Sequence, residues 1–294
     1  MDFMKAINVI FRYKVFTSEE EEEQTVQALD DVSLTINKGD FIAILGHNGS
    51  GKSTLAKQLA GLLHPTEGCI LIRGLDSGRP ENNITIRKTA GIVFQNPDNQ
   101  LIGNIVEEDI AFGPENLGVP KEEIWERVSN ALAATGMTAY RFKSPRALSG
   151  GQKQKIAISG ILAMEPECII LDEPTAMLDP KGRKEVLQAI HHLNKSKNIT
   201  IILITHHMEE AEDADYIYVM KKGKIMAQGM PPQIWPQHDL IKDCGIGLPF
   251  DRTLVDELRD EHIEIPVGVN TEEDLLYYLV ESNSNLMRML GGYL

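Results

Sequence analysis

The 294-residue chain carries 29 Lys plus Arg against 43 Asp plus Glu, a net charge of −14, with 42% hydrophobic and 24% charged residues. That length supports a sizeable core in one large domain or two modest ones, neither disordered nor fibrous, and the acidity argues against wrapping nucleic acid. No apolar run approaches the roughly 20 residues that cross a bilayer, the start carries no signal-peptide pattern, and Cys69, Cys168 and Cys244 are too scattered for a disulfide framework or a metal site, as for free thiols in a reducing cytoplasm.

Residues 7–13 and 28–36 alternate in hydropathy as half-buried strands do. Between them Glu19, Glu20, Glu21, Glu22 and Glu23 are adjacent like charges, which repel and predict a solvated loop. The apolar run Phe41-Ile42-Ala43-Ile44-Leu45 predicts a strand buried on both faces. A Gly-rich stretch follows, then Leu55, Leu59 and Leu62 at helical spacing until Pro65. Strand, glycine loop and helix open a parallel α/β unit. Residues 96–164 read mostly helical, with turns at Gly113-Pro114 and Gly118, as an insertion between two halves of a sheet. A buried strand at 169–171, a helix at 183–193 and a buried strand at 200–204 repeat the α/β pattern. Beyond Trp235-Pro236 the composition shifts. Pro249, Pro266, helical patterns at 254–258 and 274–280, and a capping-box pair Thr271 and Asp274 predict a second, small domain. The expected division is a main domain over residues 1–234, with a helical subdomain over about 97–165, and a C-terminal domain over 235–294.

Four segments carry chemistry. Gly46-His47-Asn48-Gly49-Ser50-Gly51-Lys52-Ser53-Thr54 matches G-x-x-x-x-G-K-[ST], after a strand and before a helix, as that motif requires. Its glycines let backbone N–H groups turn toward phosphates, Lys52 would reach the β and γ phosphates, and the Ser53 hydroxyl would ligate Mg²⁺. In Ile169-Ile170-Leu171-Asp172-Glu173, Asp172 at a strand end can support Mg²⁺, and Glu173 can orient or deprotonate a water. Leu148-Ser149-Gly150-Gly151-Gln152 opens a helix and forms a second anion cradle, which invites a nucleotide held by another subunit. His206, after Thr205 at the end of the 200–204 strand, falls where a neighbouring parallel strand would bring it near Glu173. Gln95, after Val93-Phe94, gains meaning only as part of this set.

In this order the motifs resemble those of the ATP-binding-cassette ATPases over residues 4–231. Two further stretches, Phe94-Gln95-Asn96-Pro97-Asp98-Asn99-Gln100-Leu101 and Glu108-Asp109-Ile110-Ala111-Phe112-Gly113-Pro114-Glu115-Asn116, are similar to the A-component ATPases of energy-coupling factor transporters. Ser159 to Met164 and Met177 to Arg183 resemble the first of that family's two paralogues. The resemblance implies a RecA-like parallel sheet with an antiparallel β subdomain, an inserted helical subdomain and a small C-terminal domain. It also implies ATP and Mg²⁺ as ligands. Gly46 to Thr54 would bind the ATP phosphates, with Ser53, Asp172 and Gln95 at the metal. Glu173 would be the catalytic base, His206 the sensor of the γ-phosphate, and Gln95 a contact to metal and water. Ser149, Gly150, Gly151 and Gln152 would close on the opposite subunit's ATP, and Asp179 would link the two sites. Tyr13 is the expected adenine-stacking aromatic, with Phe16 as its rival. Lys155 stands where the family usually has Arg, and His207 where an acidic residue is usual.

The implied activity is ATP hydrolysis that powers vitamin or micronutrient uptake at the cytoplasmic face of the cell membrane. The implied partners are a second, paralogous ATPase, a transmembrane coupling (T) component and substrate-binding membrane (S) components, with no nucleic acid. The homodimeric ATPase of a dedicated cobalt or nickel importer is the alternative. A DNA-repair or translation cassette fits less well, because no coiled-coil heptads interrupt the single cassette. Glu173 argues against a regulatory subunit that binds ATP without splitting it.

Overall fold

The computed structural model describes residues 2–16 and 23–248, and beyond them residues 254, 258, 275–278 and 280. Most of the glutamate run and the Thr271/Asp274 pair lie outside the described residues. In chain order, β1 (Asp2–Phe16) and β2 (Glu23–Asn37) precede β3 (Phe41–Gly46) and α1 (Lys52–Leu59). There follow β4 (Glu67–Ile72), β5 (Leu75–Asp76), α2 (Asn83–Thr89) and β6 (Ala90–Val93). Three helices come next, α3 (Val106–Asn116), α4 (Lys121–Ala134) and α5 (Gly150–Leu162). The chain then returns through β7 (Cys168–Asp172), α6 (Pro180–Lys197), β8 (Thr200–Thr205), β9 (Tyr216–Lys221) and β10 (Lys224–Gly229) to α7 (Pro231–Ile234) and α8 (His238–Asp243).

Two sheets result. One is antiparallel, in the order β2-β1-β4-β5, and the other runs β10-β9-β3-β8-β7-β6, parallel except for the β9–β10 hairpin. Every residue of β3, β7 and β8 is buried, the expected state of strands covered on both faces. A common core of Met4, Ile36, Ile44, Leu55, Ile70 and Ile204 joins the sheets around α1. Tyr218 pins them together: its hydroxyl donates to Thr35 O at 2.7 Å and accepts from Thr35 N at 3.1 Å.

The middle of the chain departs from the expected pattern. Gly113 and Pro114 do not turn but lie inside α3. Proline there removes one helical N–H bond, yet α3 packs along α5 and the packing carries the helix on. Gly113 sits at that contact, since a Cβ there would lie 2.8 Å from Met164 Cγ. The stop comes at Gly118, whose φ of +72° suits glycine. α1 likewise ends at Leu59, short of Leu62, which is 39% exposed.

The chain divides into two compact units, Met1–Ile246 and Gly247–Leu294. The first runs past the expected boundary at 234/235, because Ile241, Cys244 and Ile246 are buried with it and Lys221 pairs with Asp243 at 2.7 Å. In the second, Leu275 is 3% exposed and packs with Leu254, Leu258 and Tyr278.

Ile202 lies in β8 between β3 and β7 and is fully buried. Replacing it with alanine leaves a cavity in a close-packed centre, at a cost of about 2–5 kcal/mol. Urea unfolding followed by circular dichroism should show the midpoint fall accordingly.

Candidate functional site

Register decides which residues meet. β7 pairs with β8 so that Asp172 opposes Ile204, and β3 pairs with β8 so that Leu45 opposes Thr205. The glycine loop after β3, the Asp172-Glu173 pair ending β7 and His206 after β8 therefore share one edge of the sheet. Ligands of open parallel sheets bind at this edge, beyond the carboxyl ends of the strands.

The loop wraps back on itself and opens α1 with its helix N-terminus. Gly51 has φ +102°, and a Cβ would lie 2.6 Å from Ala28 O, so only glycine fits. The β9–β10 turn braces the loop: Gly223 N donates to Ser50 O, and Asp30 N of β2 donates to Gly223 O, both at 2.9 Å. Lys52, 4% exposed, donates from Nζ to Gly46 O at 2.7 Å and His47 O at 3.0 Å, and lies 3.6 Å from Glu173 Oε1. Ser53 Oγ donates to Asp172 Oδ1 at 2.9 Å.

Glu173 is the hub. Gln95 Nε2 donates to its Oε2 at 3.2 Å, and His206 Nδ1 lies 3.5 Å from its Oε1. Its own φ is +49°, a strained conformation for a residue with a side chain and a common mark of functional sites. The His206 and His207 rings sit 4.2 Å apart, but only His206 contacts Glu173. Burial, with Arg183 next in effect, holds the His207 pKa below its ordinary value.

Burial also shifts two groups at the centre. It lowers the Lys52 pKa, against the opposing pull of Glu173 and Asp172. It raises that of Asp172, against the Ser53 hydrogen bond. Both shifts are desolvation acting on a charged form.

A cavity of about 400 Å³ is lined by Asn48, Gly49, Gly51, Lys52, Ser53, Thr54, Gln95 and Glu173 together with Val26, Gln27 and Ala28, and not by Asp172 or His206. The β2 residues carry no motif; only the tertiary fold brings them there. Tyr13 of β1 shares a 3.2 Å hydrogen bond with Thr54 Oγ1 and is 36% exposed. The Phe16 side chain lies outside the described residues. A larger recess, about 700 Å³, is lined by Lys5, Asp40, Asp215, Tyr216 and Tyr218, among others, and holds none of the expected site residues.

Ser149, Gly150, Gly151, Gln152 and Asp179 do not line the Lys52 cavity. Ser149 caps α5 in a capping box with Gln152, whose Nε2 also donates to Tyr140 OH at 2.8 Å. Asp179 is exposed and caps α6 by accepting from Gly182 N at 2.9 Å. Lys155 pairs with Glu185 at 2.9 Å.

Fold and site together are those of a P-loop ATPase cassette. Residues 29–176, half of the chain, match the family model described as ABC transporter. The energy-coupling factor transporter ATP-binding protein EcfA1 of Caldanaerobacter subterraneus subsp. tengcongensis is 50% identical over 276 residues, covering 94% of this chain and 98% of its own. That of Clostridium novyi is 52% identical over 274 residues, 93% of this chain and 96% of its own. Among solved structures, cbiO1 from Clostridium perfringens, part of the ABC transporter complex cbiONQ, aligns with a TM-score of 0.72 at 36% identity, over 88% of this chain and 99% of that one. A dimeric ATP-binding cassette, MJ0796, bound to ADP and Pi gives 0.68 at 30% identity, over 78% and 98%. The chain belongs to the ABC transporter family and, within it, to the energy-coupling factor transporter ATP-binding proteins.

The raised pKa of Asp172 gives a stability prediction with a definite sign. The folded chain holds this proton more tightly than the unfolded chain, so the Asp172 contribution to stability falls as pH rises through the shifted value. Asp172→Asn removes the buried charge. The nucleotide-free variant should melt above the parent at pH 7, and the difference should shrink toward acidic pH, as calorimetric scans at several pH values would reveal.

Proposed function

We propose that this chain is the ATP-hydrolysing motor of an energy-coupling factor importer, acting at the cytoplasmic face of the membrane through separate membrane proteins. The observation that carries the proposal is the convergence of Lys52, Gln95 and His206 on one carboxylate, Glu173, in a chain half identical to EcfA1 proteins over nearly its whole length. No described helix is long and apolar enough to cross a membrane; in this reading the transport path and the substrate pocket belong to partners.

Each residue then has a task. The loop N–H groups and Lys52 bind the β and γ phosphates of ATP, and Tyr13, anchored through Thr54, stacks on the adenine. The Ser53 hydroxyl and the Asp172 carboxylate, 2.9 Å apart, would hold Mg²⁺, with Gln95 a further contact to the metal and water. No group of three or more His, Cys, Asp or Glu among the described residues makes a metal site alone. The cation would be carried largely by the nucleotide, as Mg²⁺ usually is, where it would offset phosphate charge. Glu173 accepts the proton of the attacking water, while Gln95 and His206 orient that water and the γ-phosphate.

Ser149, Gly150, Gly151 and Gln152 present backbone N–H groups at an exposed helix N-terminus, suited to the ATP of a partner cassette. Asp179 links the two sites across that interface. The partner is a paralogous ATPase. Exposed Ile102 and Phe112, beyond Gln95, offer apolar surface to the transmembrane coupling component, which in turn works with substrate-binding membrane components. The second reading is the alternative that the sequence motifs leave open, the homodimeric ATPase of a dedicated cobalt or nickel importer. The complex purified through a tag on this chain separates the two: two different ATPase chains support the first reading, one supports the second.

Lys52→Ala removes the ammonium beside the phosphates and should abolish most Mg-ATP affinity in calorimetric titration; unchanged affinity would overturn the site. Glu173→Gln keeps the shape without the base, so hydrolysis should fall about 10²–10⁴-fold while ATP stays bound. Ser149→Arg should block closure by bulk. In mixed pairs it should silence the partner's site and spare ATP binding to its own P-loop; silencing only its own site would end the shared-site reading.

A further inference from the structure

Glu210 is a carboxylate that the site above leaves unused, and it is 3% exposed. It lies in the short 3₁₀ turn Met208–Ala211, directly after His206 and His207. A charge so deeply buried requires partners; two meet its Oε1, while Oε2 is buried with no hydrogen-bond partner among the described residues. Thr175, 1% exposed and two residues beyond Glu173, donates from Oγ1 to Glu210 Oε1. Arg183 Nε lies 3.6 Å from the same oxygen. Arg183 stands in the first turn of α6, where its backbone N donates to Asp179 O at 2.9 Å.

Glu210 Oε1 therefore joins three segments, through one hydrogen bond to the loop after Glu173 and one ion-pair contact to the helix that Asp179 caps, from the turn that follows His206. The loop has reason to be held. Glu173 sits at φ +49°, and its backbone N is tied to Ile204 O at 3.0 Å, so the strained conformation persists only if its surroundings impose it. Thr175 O in turn accepts from Leu178 N at 3.0 Å, which carries the constraint to the residue before Asp179.

We propose that Glu210 is a positioning residue for hydrolysis, holding Glu173 and His206 in one geometry and tying both to Asp179 through Thr175 and Arg183. It touches neither nucleotide nor water. Its effect belongs to the chemical step, where a misplaced base is costly, and not to nucleotide binding. The inference rests on Glu173 as the base, and the test keeps the two apart.

The experiment uses the complex purified through a tag on this chain, with Mg-ATP. Glu210→Ala should lower kcat about tenfold or more while KM for ATP stays within about twofold, since small displacements of a base cost large factors in rate. Glu210→Gln keeps an oxygen for Thr175 and should recover most of the lost kcat. Thr175→Val removes only the donated hydrogen bond and should lower kcat by itself. Combined with Glu210→Ala it should add little, because both break the same tether. ATP affinity by calorimetry and the melting temperature are read on every variant. If Glu210→Ala fails to fold, Thr175→Val and Glu210→Gln decide. Unchanged kcat in Thr175→Val, fully additive losses, or KM rising in step with the fall in kcat would overturn the proposal. If Glu173→Gln itself hydrolyses normally, the reading of the base fails; if only the Glu210 and Thr175 variants are normal, the positioning role alone fails.

Discussion

Lys52, at the start of α1 after β3, and Asp172 and Glu173, at the end of β7, are each less than a tenth exposed at one edge of the parallel sheet. Removing three charges from water is unfavourable unless each finds an opposite charge or a hydrogen bond. The surrounding structure meets that requirement residue by residue. Lys52 lies among two loop carbonyls and Glu173, Asp172 accepts the Ser53 hydroxyl, and Glu173 accepts from Gln95 and faces Lys52, with His206 Nδ1 3.5 Å away. What remains of the burial cost appears in the opposite pKa shifts of Lys52 and Asp172. A site so arranged holds its polar groups ready before anything binds, the condition under which electrostatic stabilisation acts most strongly.

The parallel sheet makes this gathering possible. β3, β7 and β8 are buried along their whole length, so their polar termini emerge together at one edge. Residues near positions 50, 172 and 206 thereby become neighbours without any local sequence relation. The second sheet then closes over the loop. The turn at Gly223 bonds the loop on one side and β2 on the other, and Gly51 leaves room for Ala28 O where any side chain would collide.

The helical insertion stands apart in character. Its exposed N-terminal cap at Ser149 and the exposed cap of α6 at Asp179 lie outside the cavity that holds Lys52. Within the insertion, α3, α4 and α5 pack on each other, and Gly113 allows the close approach of α3 to Met164. Packing here outweighs local preference, since a proline that often ends a helix sits within α3.

The sequence by itself determined the elements whose signal is local. The run Phe41 to Leu45 read as a doubly covered strand, the spacing of Gly46, Gly51, Lys52 and Ser53 marked the loop between a strand and a helix, and Asp172 and His206 were legible as residues at strand ends. Tertiary structure decided what depends on contact between distant segments. It extended α3 through Gly113 and Pro114, carried the first compact unit to Ile246, and placed Val26, Gln27 and Ala28 against the loop. It also brought Glu210 to Thr175. None of these leaves a periodic or compositional mark, because a hydrophobic pattern reports which face is buried but not what covers it. The strand order, the register and the close approach of backbones are set by packing between elements far apart in the chain, and only the folded molecule contains that information.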